Sequence, residues 1–136
     1  MIMLDTALEG KEAVFGRFSM DVHKHGLSLG GNWEYDFGSF DQIIWQEQGE
    51  SIYLRLPFAT IRGKLDHDET VIQFKTPYLI KHVLNIGLDY DSNSLLSAVG
   101  LNQFQAPLDT DGHIPHRDRW KQVGEHLIEQ LTPYVY

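Results

Sequence analysis

The sequence predicts an α+β fold, an antiparallel sheet with an N-terminal and a long C-terminal helix packed on one face, in the order β-α-β4-α. Two observations carry this. Four consecutive stretches between residues 33 and 76 alternate apolar and polar side chains with the two-residue period of half-buried strands, and the connections between them are too short for crossovers. On either side lies a stretch whose apolar residues recur every three or four positions, the stripe of an amphipathic helix. A sheet with one apolar side must cover it, and these two helices are what the chain offers, which makes the expected arrangement helix-grip-like.

Ile2, Leu4, Thr6 and Leu8 alternate with Met3, Asp5, Ala7 and Glu9 and predict a first strand. From Lys11 the period changes. Val14, Phe15, Phe18 and Val22 fall at helical spacing, and Gly26 sits where a left-handed C-terminal cap is needed. After Gly30-Gly31, the run Trp33, Tyr35, Phe37 predicts a strand, Gly38 a turn, and Phe40 to Trp45 a second strand. Gln48-Gly49-Glu50 turns the chain into Ile52, Leu54, Leu56 and Phe58, a third strand whose continuation, Ile61 to Leu65, bends at Gly63. The fourth is Thr70 to Thr76. Thr76-Pro77 then reads as the cap and first residue of a short helix carrying Leu79, Val83 and Ile86 and stopped by Gly87. Residues 88 to 114 are turn-rich, with a further short strand expected near Asn102 to Gln105. Trp120, Val123, Leu127, Ile128 and Leu131 mark the last helix, from about Pro115 to Pro133.

A chain of 136 residues fits one domain, 1–136, and its 42% apolar and 22% charged residues are those of a folded protein. Without cysteine there is no disulfide, thiolate metal site or thiol nucleophile. The net charge of −8, with no two basic residues adjacent, argues against nucleic acid and against an anionic membrane surface. Neither a signal-peptide pattern nor an apolar run of about 20 residues is present, so the expected location is the cytoplasm.

Several blocks stand in a fixed order: Gly30-Gly31-Asn32-Trp33-Glu34-Tyr35-Asp36, Phe40-Asp41, Tyr53-Leu54-Arg55-Leu56-Pro57, Gly63-Lys64-Leu65-Asp66, Lys81-His82-Val83, Gly87-Leu88-Asp89 and Asn102-Gln103-Phe104-Gln105-Ala106-Pro107. Together, from about Leu4 to Leu131, they resemble the YugN-like family of bacterial proteins. The resemblance implies a cytosolic protein of Bacillus-like bacteria with helices gripping one face of a sheet; it brings no reaction and no site residues with it.

The motifs that could carry chemistry are weak one by one. Asp89-Tyr90-Asp91-Ser92-Asn93-Ser94 begins like a calcium loop, but Ser94 stands where the sixth-position glycine belongs and Gly100 where the bidentate glutamate belongs. Asp109, Asp111, His113 and His116 are the best metal-ligating candidates, yet they read more simply as a turn entering the last helix. Gly30-Gly31-Asn32 precedes a strand and so cannot cradle a phosphate at a helix N-terminus, and there is no GxSxG. No metal and no cofactor is expected.

The more informative set is Trp33, Tyr35, Tyr53, Arg55 and His82. Alternation places Trp33 with Tyr35 and Tyr53 with Arg55 on single sides of their strands. If those sides coincide, aromatic walls flank a guanidinium fork suited to a small anion. The plainer reading is that the aromatics belong to the core and that Arg55 pairs with Asp36 or Asp41 across the sheet. The leading functional expectation is a binding or interaction domain that forms a homo-oligomer, since aromatic residues left exposed make an interface. The alternatives are a small-molecule enzyme with His82 as acid or base and Arg55 orienting an anion, and a metal-dependent protein.

Overall fold

The computed structural model describes residues 1–83 and 112–136. Strand β1 (Ile2–Met3) leads to β2 (Glu12–Val14), helix α1 (Phe15–His23) and strands β3 (Ser28–Leu29), β4 (Phe37–Glu47), β5 (Glu50–Arg62), β6 (Val71–Phe74) and β7 (Tyr78–Val83). Helix α2 (Arg117–Glu129) and a 3-10 turn at Thr132–Tyr134 follow. The fold is mixed α+β with a large antiparallel sheet and a C-terminal helix.

β5 is the spine of the sheet. On one side it pairs with β4 through a tight hairpin, in which Gln48 and Gly49 both take positive φ, 49° and 79°. That is the two-residue turn whose twist matches the flanking strands. On the other side β5 is shared: Glu50 to Arg55 pair with β7, and Phe58 to Arg62 with β6. β6 and β7 thus act as one interrupted strand, with the pairing shifted by one residue between Phe58↔Phe74 and Arg55↔Tyr78. Pro77, which has no N–H to give a ladder, lies in that interruption, and its carbonyl accepts from the Leu4 N–H at 2.9 Å.

The short helix expected after Thr76-Pro77 is therefore a strand. Thirteen residues of β5 need partners along both edges, β6 supplies only four, and Tyr78 to Val83 satisfies the remainder. Ile86 and Gly87 lie outside the described residues, as does the strand expected near Asn102 to Gln105. Two further expectations change. Trp33 to Asp36 is not a strand but a loop, held by Thr60 N–H to Asp36 O and Leu65 N–H to Tyr35 O, and Gly38 continues β4 instead of turning it. The helix expected from Lys11 begins at Phe15, because Glu12, Ala13 and Val14 pair with Gln73, Ile72 and Val71.

In β5, Ile52, Leu54, Leu56 and Phe58 are buried, whereas Tyr53, Arg55 and Pro57 are only partly so. The buried set meets α1, whose Phe18 ring lies 5.2 Å from that of Phe40 and 4.7 Å from that of Phe74. Each such ring contributes about 1.5–3 kcal/mol through burial. Gly26 closes α1 with φ 89°: its N–H donates to His23 O and the Leu27 N–H to Val22 O, the paired bonds of a Schellman cap. α2 packs Gly124 against Leu4 and Leu79 and buries Ile128, so both helices join one hydrophobic core. No helix among the described residues is long and apolar enough to cross a membrane.

Candidate functional site

The strand registers sort the sequence-selected residues into place. Across β4, β5 and β7 run three rungs on the side away from the helices: Asp41–Arg55–Tyr78, Ile43–Tyr53–Ile80 and Gln46–Ser51–His82. Tyr53, Arg55 and His82 therefore share a face. The Tyr53 and His82 rings stack at 4.5 Å between centroids with 45° between their planes.

Arg55 is committed to a partner. Its Nε donates to Asp41 Oδ1 at 3.1 Å and its NH2 nitrogen to Asp41 Oδ2 at 3.2 Å, a bidentate pair. Burial works against the charged guanidinium, but Asp41, aided by Tyr78, outweighs it and the pKa is raised. The fork that could hold a ligand carboxylate holds Asp41, while Ser39 Oγ donates to the same carboxylate at 3.0 Å. Beside this pair, both ring nitrogens of His82 are buried with no hydrogen-bond partner among the described residues. Burial, first, and then the Arg55 charge lower the His82 pKa, against an opposing pull from Asp41. The imidazole is thus held neutral. A neutral imidazole can accept a proton, but the hollow of about 540 Å³ beside Asp41, Ile43 and Tyr53 is not lined by His82.

Trp33 and Tyr35 lie elsewhere. They form an aromatic tip on the loop before β4, their rings edge-to-face at 5.9 Å, with Lys64 Nζ 6.0 Å from the Tyr35 ring centre. Trp33 remains 39% exposed, Tyr35 54% and Phe37 50%, and Ile61 is exposed as well. Glu34, Asp36, Arg62 and Lys64 surround them, all exposed. The sequence set is split, with Tyr53, Arg55 and His82 on the strand face and Trp33 and Tyr35 at the tip. Phe37, the first residue of β4, is exposed as well; it was not among the sequence-selected residues although it stands in the same alternating run, and among the described residues its ring contacts neither Trp33 nor Tyr35.

Comparison with known proteins bears on the whole chain. The model of the YugN-like family matches residues 3–135. The chain belongs to the YugN-like family. Among its relatives is a Bacillus subtilis (strain 168) protein described as uncharacterized protein YugN, 26% identical over 131 residues and covering 96% of each chain. A second from the same organism, uncharacterized protein YlbA, is 28% identical over 86 residues, 63% of this chain and 71% of that one. The crystal structure of the uncharacterized conserved protein YugN from Geobacillus kaustophilus HTA426 superposes with a TM-score of 0.70 over 99% of this chain and 95% of that one. At 18% identity the likeness establishes the shared YugN-like fold. Neither these names nor the family description assigns a reaction.

Of the metal-ligating candidates, Asp109 and Asp111 lie outside the described residues, as do Asp89, Asp91 and Gly100 of the calcium-like loop. His113 and His116 are exposed at the entry to α2. Among the described residues no group of three or more His, Asp or Glu side chains could hold a metal ion.

Proposed function

We propose that this chain is a cytosolic binding domain of helix-grip-like architecture that pairs with a second copy of itself through the aromatic tip. The observation that carries this is the joint exposure of Trp33, Tyr35 and Phe37 on one loop and strand end. Aromatic side chains left in water in a group supply the apolar centre of an interface.

A second copy suits the tip because of charge. Two chains of net charge −8 repel each other, so they meet best where the local charge is balanced. The tip has that balance, with Glu34 and Asp36 beside Arg62 and Lys64. A twofold axis through the patch can set the acidic pair of one copy against the basic pair of the other.

Sedimentation equilibrium of the wild type and of a Tyr35→Ser/Phe37→Ser double variant tests this. The wild type is expected to be dimeric in the micromolar range, and the variant monomeric with an unchanged unfolding midpoint, since both side chains are half exposed. A wild type monomeric up to ~100 μM, or a variant that dimerises as well as the wild type, overturns the reading.

A further inference from the structure

The end of the sheet nearest the start of α2 holds a second feature, at the other end of β4 from the tip. A cavity of about 230 Å³ is lined by Trp45, Glu50, Ile52, Lys81, His116 and Trp120. Trp45, Ile52 and Lys81 are register partners across β4, β5 and β7, on the side that carries the core. Lys81 thus projects from an apolar surface, and its side chain is only 11% exposed.

We propose that this cavity binds a small, uncharged nitrogen heteroaromatic ring through a lactam edge, a ring N–H beside a carbonyl. Size comes first: pockets for drug-sized molecules begin at roughly 300 Å³, so this one accepts one or two fused rings without a sugar phosphate. Two indoles in the wall favour an aromatic occupant. The charge of the lining cancels, because Lys81 Nζ lies 3.2 Å from Glu50 Oε2, and the occupant is therefore neutral.

The same pair sets the polar pattern. Lys81 Nζ donates one hydrogen bond, to His113 O at 3.1 Å, and meets Glu50 as an ion pair, so the ammonium keeps a proton to give, and among the described residues Oε1 of Glu50 has no partner. A donor beside an acceptor on the wall recognises an acceptor beside a donor on the ligand. The Lys81 side chain lies against an apolar surface while Glu50 keeps 39% of its side chain exposed, and a methionine at position 81 would fill the space without holding a charge there. A lysine held there can read a polar edge.

Hypoxanthine carries such an edge, and 1-methylhypoxanthine replaces its N–H with a methyl group. The test titrates both into a Trp33→Phe variant, whose two remaining indoles are Trp45 and Trp120, and follows their fluorescence. Saturable quenching by hypoxanthine is expected, with the methylated probe binding at least ~10-fold more weakly. Adding Lys81→Met is expected to weaken hypoxanthine by ~10-fold or more while the circular dichroism stays unchanged. No saturable quenching, equal binding of the two probes, or undiminished binding by a folded Lys81→Met variant each overturns the proposal. The comparison of probes on a single folded protein holds even if Lys81→Met fails to fold.

Discussion

His82 shows how one position depends on its neighbours. In a helix after Pro77 its side would have been set by a 3.6-residue period; in β7 it stands on the rung of Ser51, with its ring on Tyr53 and both nitrogens shut from water. Because its pKa is lowered in the folded state, the unfolded chain binds the proton more tightly. This contribution to stability is complete above the ordinary histidine value of about 6.5 and is lost as pH falls through that value toward the folded one. Arg55 is the second cause of the shift, so Arg55→Met is expected to raise the His82 pKa, read from its ring proton in an NMR titration. The same variant should lose less stability than the wild type between pH ~7.5 and ~5.5, measured as the change in urea midpoint. An unchanged titration would mean that burial alone sets the value. A cross-strand carboxylate for Arg55 was legible beforehand as Asp36 or Asp41, and the register selects Asp41. The neutral imidazole was not, because its burial comes from strands far apart in sequence.

At the scale of elements, the α1 cap was readable at Gly26 because a left-handed residue after an apolar stripe leaves a local mark. Gly26→Ala must keep φ near 89° and set a Cβ 2.8 Å from Gln42 Nε2. The expected loss is about 1–2 kcal/mol in chemical denaturation. Gly31→Ala, with nothing within 4 Å of the added carbon, serves as the near-neutral control. Helix α2 makes a different demand on Gly124. A Cβ there already comes within 3.0 Å of Leu4 and 3.2 Å of Leu79, so Gly124→Leu overpacks the joint between helix and sheet. The expected cost is about 1–3 kcal/mol, read from the same curves, and a neutral result would show that α2 can shift on the sheet. The strand at Tyr78–Val83 was hidden because Thr-Pro is a sound local signal for a helix start, and only the unpaired edge of β5 outvotes it.

For the whole molecule, the C-terminal residues are tied to β2 and to the segment just after α1. Glu12 N–H donates to Tyr136 O at 2.7 Å and Tyr136 N–H to Glu12 O at 2.9 Å, while His25 Nε2 and the Tyr134 hydroxyl lie 3.0 Å apart. Deleting residues 132–136 removes both ties from the α1 side. It should lower the thermal midpoint and speed hydrogen exchange in α1 more than in β5, whereas equal protection of α1 would show that the tail is dispensable. Local order in the sequence was enough to establish the α+β class, the β4–β5 hairpin, the buried side of β5 and the stripe of the last helix except at Val123, which is exposed while Gly124 beside it is buried. Each rests on a period or a turn within a few residues, where backbone geometry leaves few options. Tertiary structure decided the rest: that Glu12–Val14 pairs instead of coiling, that Trp33 and Tyr35 leave the sheet, that Tyr78–Val83 completes β5, and that Lys81 comes to line one cavity with Trp45. These outcomes depend on which unpaired backbone groups and apolar surfaces meet across more than about 20 positions of the chain. Hydrogen-bond satisfaction and burial over such distances outweigh propensities worth well under about 1 kcal/mol per residue.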